Sequence, residues 1–300
     1  MALVEIGEGN VTAAIDTKGS QLRSLTRDGR EYLWQADPRW WGKSAPVLFP
    51  IVGTLRNNEA TSAEGRCRMG RHGLARNYEH EVIERTDSSV TLNFVSSAET
   101  HRYFPYDFAL EMTYALEEGD EGVTLAQTFA VNNADVRMPF FLGGHPAFNV
   151  PLAGKDEGAF EDWRLVFSRP WTATTPTIDE AGLLDYGRTQ EVFNDASSLP
   201  LTHELFSQDA IVLEGVPDST VTLTGPAGHG VHVDFSGFDH VGVWSAAPSA
   251  DGEPAPFVAI EPWCGTATRT DEDDVLEHKQ NVIFAEPGET VTRTFRVTPF

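Results

Sequence analysis

Ala109-Leu-Glu-Met-Thr-Tyr-Ala-Leu116 and Gly122-Val-Thr-Leu-Ala-Gln-Thr-Phe-Ala-Val131 decide the fold class. In both, large apolar side chains recur at every second position, with threonine, glutamate or alanine between them. Side chains on a strand point alternately to its two faces, so this pattern predicts half-buried β-strands. The same period continues in Val90-Thr-Leu-Asn-Phe-Val95, Ser219-Thr-Val-Thr-Leu-Thr224, Gly230-Val-His-Val-Asp-Phe235 and Thr290-Val-Thr-Arg-Thr-Phe-Arg-Val297. Turn clusters separate the runs: Glu117-Glu-Gly-Asp-Glu-Gly122, Gly215-Val-Pro-Asp-Ser219, Gly225-Pro-Ala-Gly228 and Glu286-Pro-Gly-Glu289. Residues 123–129 and 241–244 read as buried strand centres. Many short strands at such spacing predict an all-β chain built as a large antiparallel β-sandwich.

Helical signal is scarce. Residues 97–106 have room for one short turn before Pro105. Residues 271–278 begin with acidic residues and end in His278 and Lys279, a charge order that suits a helix dipole. There is no GxGxxG or GxxxxGK[ST] motif for a nucleotide, no repeat of fixed period and no linker-like shift in composition. The expectation is a single domain over residues 1–300.

Composition narrows the function. The 300 residues are 40% hydrophobic and 22% charged, and 22 Lys+Arg against 45 Asp+Glu give a net charge of −23. Such a chain repels nucleic acid and anionic membranes. Lysines number four; the other basic residues are arginines, so an anionic ligand would need arginines held close against an unfavourable mean field. No run is long and apolar enough for a membrane helix, and no signal peptide is visible. Two cysteines, Cys67 and Cys264, make neither a disulfide framework nor a four-ligand zinc site. The histidines show no metal spacing. A cytoplasmic protein without metal or cofactor is expected.

Three apolar-framed segments carry polar residues a plain strand does not need. The first is Ser44-Ala-Pro-Val-Leu-Phe-Pro-Ile-Val-Gly-Thr-Leu-Arg56, followed by Gly70-Arg-His-Gly-Leu-Ala-Arg76. The second is Pro139-Phe-Phe-Leu-Gly-Gly-His-Pro-Ala-Phe-Asn149. The third is Phe257-Val-Ala-Ile-Glu-Pro-Trp-Cys264. His145 follows two glycines and precedes a proline. A histidine displayed in this way suits general acid–base work, the alternative being a core histidine bonded to backbone. Glu261 ends an apolar run, where a carboxylate is costly unless paired, protonated or used. Its alternative role is a buried pair with Arg56 or Arg76. Trp263 beside it offers a flat face of the kind sugars stack on. His72 lies among glycines that suggest tight turns, and a surface turn is its alternative. For Arg56 a structural salt bridge is the alternative to ligand binding. Asp209 opens the strand 210–213, where edge or turn residues are common.

Together these segments, in this order, resemble the aldose 1-epimerase (galactose mutarotase-like) family, and within it a LacX-like branch related to hexose-6-phosphate epimerases. The resemblance rests on Ala45-Pro-Val-Leu-Phe-Pro-Ile-Val-Gly53, Gly70-Arg-His-Gly-Leu-Ala-Arg76, Gly143-Gly-His-Pro-Ala-Phe148 and Ile260-Glu-Pro-Trp263, with 280–289 fitting the closing strands. It implies the family's β-supersandwich and interconversion of the α and β anomers of a hexose. It further implies that His145 is the general acid, Glu261 the general base, His72 a positioning histidine, and Arg56 and Asp209 sugar ligands. Arg76 and Trp263 complete the expected binding set. A hexose 6-phosphate substrate would use Arg56, Arg71 and Arg76 as a clamp. A non-catalytic carbohydrate-binding protein on the same fold is the other reading. The expected partner is a small sugar, with the chain a monomer or homodimer.

Overall fold

The computed structural model describes every residue except 1, 120, 121, 134 and 155. Asp120 and Glu121, in the turn expected at 117–122, therefore lie outside the described residues. The alternating stretch at 122–131 forms the strand Gly122–Asn132, with Val123, Leu125, Phe129 and Val131 buried. It pairs antiparallel with Ala109–Gly119 on one side and Thr290–Pro299 on the other. On its outer face Thr124 meets Thr298 at 2.7 Å and Thr128 meets Thr294 at 2.8 Å. Cross-strand pairs of this kind stabilise a sheet by roughly 0.2–1 kcal/mol each.

These strands are the middle of a nine-stranded antiparallel sheet. It runs from the long hairpin Leu184–Pro200 and Arg164–Ile178, through Thr220–Thr224, Gly230–Asp234, Thr290–Pro299, Gly122–Asn132, Ala109–Gly119 and Ser89–Val95, to the edge strand Glu81–Arg85. A second sheet of six strands has the order Ile211–Glu214, His240–Trp244, Phe257–Cys264, Leu142–Gly144 and Val47–Leu48, with Ala147–Asn149 also paired on Phe257–Cys264. A four-stranded N-terminal sheet spans Leu3–Glu8 to Arg30–Glu31. The two large sheets meet where Phe295 packs beneath Gly144, whose Cβ position lies 2.5 Å from the ring. Phe129 and Phe238 surround Phe295 at 6.2 and 5.9 Å. Only glycine at 144 lets the sheets approach this closely.

Among the described residues the helical pieces are 3-10 turns of three or four residues. The short turn expected in 97–106 is Thr100–Arg102. The helix-like charge order of 271–278 misleads: within it only Leu276–His278 forms a 3-10 turn. The carbonyls of Arg269, Thr270 and Glu272 accept from the Arg56 guanidinium, which holds this segment as a loop. Among the described residues no helix is long and apolar enough to cross a membrane.

Candidate active site

The six-stranded sheet builds the floor of a cavity of about 190 Å³. Every residue of Phe257–Cys264 is buried, so its composition is apolar except at Glu261. The pleat places Glu261 and Trp263, two residues apart, on one face. Register extends that face: Glu261 lies opposite Gly242, and Gly242 opposite Val212. Trp263 lies opposite His240 on one side and Gly143 on the other. A Cβ at Gly242 would stand 2.4 Å from the Trp263 ring, and one at Gly143 2.9 Å from it. These two glycines leave the indole room to lie across its neighbours. The two glycines before His145 thus serve opposite faces: Gly143 clears Trp263, and Gly144 clears Phe295.

After Gly144 the strand breaks at His145-Pro146 and resumes at Ala147–Asn149. The break turns His145 into the cavity, with Nε2 3.3 Å from Oε1 of Glu261. Both side chains are almost fully buried. Burial, reinforced by the nearby Asp209 carboxylate, holds the Glu261 pKa well above the ordinary carboxylate value. The Trp263 indole opposes that rise from close range, although its Nε1–H makes no hydrogen bond of ordinary geometry. Burial, with the Arg76, Lys43 and Arg71 cations adding to it, pulls His145 down to about 3. Both shifts favour the uncharged form of each group in the unliganded cavity, a carboxylic acid beside a neutral imidazole. Oε2 of Glu261, Nδ1 of His145, Nε1 of Trp263 and Nε of Arg76 are buried without a hydrogen-bond partner among the described residues. Such atoms suit a ligand rich in hydroxyls.

His72 comes from the turn at 70–73 and has left-handed backbone, φ 67°. It is buried in the cavity wall and is not a surface turn residue. The Gly53 N–H donates to its Nδ1 at 3.1 Å, which leaves Nε2 as the protonated nitrogen of the neutral ring. Burial and the neighbouring His145 hold its pKa well below 6.5. Asp209 precedes the strand Ile211–Glu214 in a left-handed turn, φ 79°, and accepts from Nη1 of Arg71 at 3.2 Å. Arg76 also lines the cavity, and its Nη2 donates to the Arg71 carbonyl at 2.6 Å. The hairpin tip adds Ile178, Gly182 and Leu184 as an apolar wall.

Arg56 is the expected ligand that the structure removes. It does not line the cavity; its Nε donates to Asp274 at 3.0 and 3.1 Å and its Nη2 to loop carbonyls. The salt-bridge alternative holds for it, and Arg71 is the arginine beside Asp209. The expected set His145, Glu261, His72, Arg76, Asp209 and Trp263 converges on one cavity.

A family model described as aldose 1-epimerase matches residues 2–294. The chain belongs to the aldose 1-epimerase family. The plasmid-encoded protein LacX of Lactococcus lactis subsp. lactis is 36% identical over 307 residues, covering 98% of both chains. A galactose mutarotase related enzyme from Lactobacillus acidophilus shares the fold with a TM-score of 0.91 at 31% identity, over 100% of this chain and 97% of that one. A galactose mutarotase-like protein from Lactobacillus casei ATCC 334 does so with 0.87 at 29% identity, over 100% of both chains.

Two aromatic residues of the site escaped the sequence reading. Trp41 stacks on the His145 ring with centroids 4.7 Å apart and planes at 25°, and Trp244 meets the same ring edge-on at 5.6 Å. Trp244 was legible only as part of a buried strand. Trp41 sits in Pro38-Arg-Trp-Trp-Gly42, and the one available signal was two adjacent tryptophans in an otherwise polar loop.

Proposed function

We propose that the protein is a hexose 1-epimerase, a mutarotase that interconverts α and β anomers by opening the ring at C1. The observation that carries this reading is the Glu261–His145 contact of 3.3 Å in the wall of a cavity that His72, Arg71, Arg76, Asp209 and Trp263 also line. Opening a cyclic hemiacetal needs the O1 proton removed and the ring oxygen protonated. Both oxygens are bonded to the same carbon. Two proton-carrying groups held this close can serve both at once.

The proton inventory fits the same cycle. With sugar bound, its hydroxyls and the Arg71 guanidinium favour the Glu261 carboxylate, and the proton passes to His145. Glu261 then takes the O1 proton while His145 protonates the ring oxygen. The C1 aldehyde turns about C1–C2 and recloses from its other face, with the proton transfers reversed. General acid–base assistance of this kind contributes about 10²–10⁴-fold. His72 donates from Nε2 to a sugar oxygen, the Arg71–Asp209 pair and Arg76 bind hydroxyls, and Trp263 carries the C–H face.

A neutral hexose is favoured over a hexose 6-phosphate. A phosphate clamp needs free guanidinium groups, and Arg56 is held by Asp274 while Arg71 pairs with Asp209. The test is anomeric exchange followed by proton NMR with galactose, glucose and glucose 6-phosphate in parallel. Acceleration of a neutral hexose supports the reading. Acceleration of the phosphate alone replaces the substrate, and no acceleration with any of the three leaves a binding protein.

A further inference from the structure

A buried catalytic imidazole usually has its second nitrogen bonded to a carboxylate or carbonyl, which fixes the ring and stabilises it when protonated. Among the described residues Nδ1 of His145 has no such partner. It is buried without a hydrogen bond to any of them, and its own backbone is the group on that side that raises its pKa. The surrounding cations, Arg76, Lys43 and Arg71, all oppose its protonation. Rings hold the imidazole instead. Trp41 covers one face at 4.7 Å, Trp244 meets it edge-on at 5.6 Å and 84°, and His72 does so at 5.6 Å and 85°.

Of these, the parallel indole is the one whose electron-rich face lies along the imidazole plane. We propose that Trp41 is the positioning residue of His145: it fixes the ring toward Glu261 and stabilises the imidazolium that forms during ring opening. The proposal rests on the epimerase reading and adds a requirement for a π face at this place.

The way Trp41 is held supports the role. Its backbone N–H donates to the Asp37 carbonyl at 3.0 Å, and its carbonyl accepts from Trp34 Nε1 at 2.9 Å. Trp40 Nε1 donates to the Glu253 carbonyl at 2.8 Å, and Arg39 lies 4.3 Å over the Trp40 ring while pairing with Glu253. Phe257, below, stacks with Trp41 at 5.9 Å. A loop residue is thus tied on both sides, so its face is presented to His145 at little entropic cost at turnover. A cation against an indole is attracted most strongly when desolvated, as here.

The test compares Trp41→Leu, which keeps bulk without a π face, with Trp41→Phe, which keeps the face. Anomeric exchange of galactose gives kcat and KM, and thermal melts verify folding. The expected result for Trp41→Leu is a fall in kcat of about 10- to 30-fold, about 1.4–2 kcal/mol in the barrier. KM stays within about 3-fold, and the solvent deuterium isotope effect on kcat grows as proton transfer becomes more limiting. Trp41→Phe recovers kcat to within about 3-fold of the parent. If Trp41→Leu fails to fold, Trp41→Met serves the same comparison. A kcat preserved in Leu or Met, a loss confined to KM, or a Phe variant as impaired as Leu overturns the proposal while the epimerase reading stands. A parent protein that exchanges no hexose overturns both.

Discussion

Glu261 and His145 lie 3.3 Å apart in a site that disfavours charge on either one alone. The consequence is a pH profile unlike that of a free histidine acid. An imidazolium drawn from solvent with an ordinary pKa near 6.5 would make the rate rise several-fold as pH falls from 7.5 to 5.5. With His145 at about 3 and Glu261 raised, both shifts favour keeping the shared proton on the pair. The kcat/KM profile is therefore expected to be flat from pH 7.5 to 5.5, and an inflection near 6.5 contradicts the shared-proton state. The arginines divide at the same scale. Arg71→Ala removes a cavity donor and leaves Asp209 unpaired, so KM for the hexose is expected to rise about 10-fold or more. Arg56→Ala loosens the 269–274 loop and lowers the melting temperature, with KM unchanged; a raised KM in this variant returns Arg56 to the binding site. The sequence could not separate these two arginines. Both lie in glycine-bearing segments, and what distinguishes them is Asp274, more than 200 positions away.

At the scale of elements, the strand Phe257–Cys264 does most to set the site, and it was readable. One carboxylate in an otherwise apolar buried strand requires a partner or a function, and the pleat fixes Trp263 on its face. The display of His145 was equally legible from the Gly-Gly-His-Pro sequence. The reason for the glycines was not, because Trp263 and Phe295 reach them from strands far along the chain. Gly242→Ala tests that account, since a methyl there stands 2.4 Å from the indole. Overpacking of this kind costs typically about 1–3 kcal/mol, so a lower melting temperature together with a higher KM is expected. A variant with unchanged KM and stability shows that Trp263 need not lie flat on the sheet. The loop at 269–274 marks the limit of local reading: charge order suggested a helix, and a guanidinium from another segment organised a loop.

Across the whole molecule, period-two alternation foretold an antiparallel β fold, and the two large sheets follow from it. The sheet order did not, since register between distant strands depends on contacts such as Phe295 beneath Gly144. Burial of histidines gives the molecule a further property. His80 is held by Ser20 and the Ala75 carbonyl, stacks on Phe94, and is pulled by burial down to about 4. The unfolded chain takes up that proton first, so this group's contribution to stability falls as pH drops from 6.5 toward 4. By pH 5 the loss from His80 is about 2 kcal/mol. His72, His145 and His240 act in the same direction, while Glu31 and Glu261, raised by burial, act in the opposite one. The melting temperature is expected to fall between pH 7 and pH 5, and His80→Gln to reduce that fall. An equal fall in the variant assigns the acid sensitivity to other groups.

The central claim is that Glu261 and His145 together move the protons of ring opening, and the most direct measurement is exchange between the two anomers of galactose, read by proton NMR for the parent and for Glu261→Gln. Glutamine keeps the shape and cannot accept the O1 proton. With the melting temperature held or raised, exchange is expected to fall about 10²–10⁴-fold to near the spontaneous rate. Exchange in a folded Glu261→Gln protein at a rate close to the parent's contradicts the account.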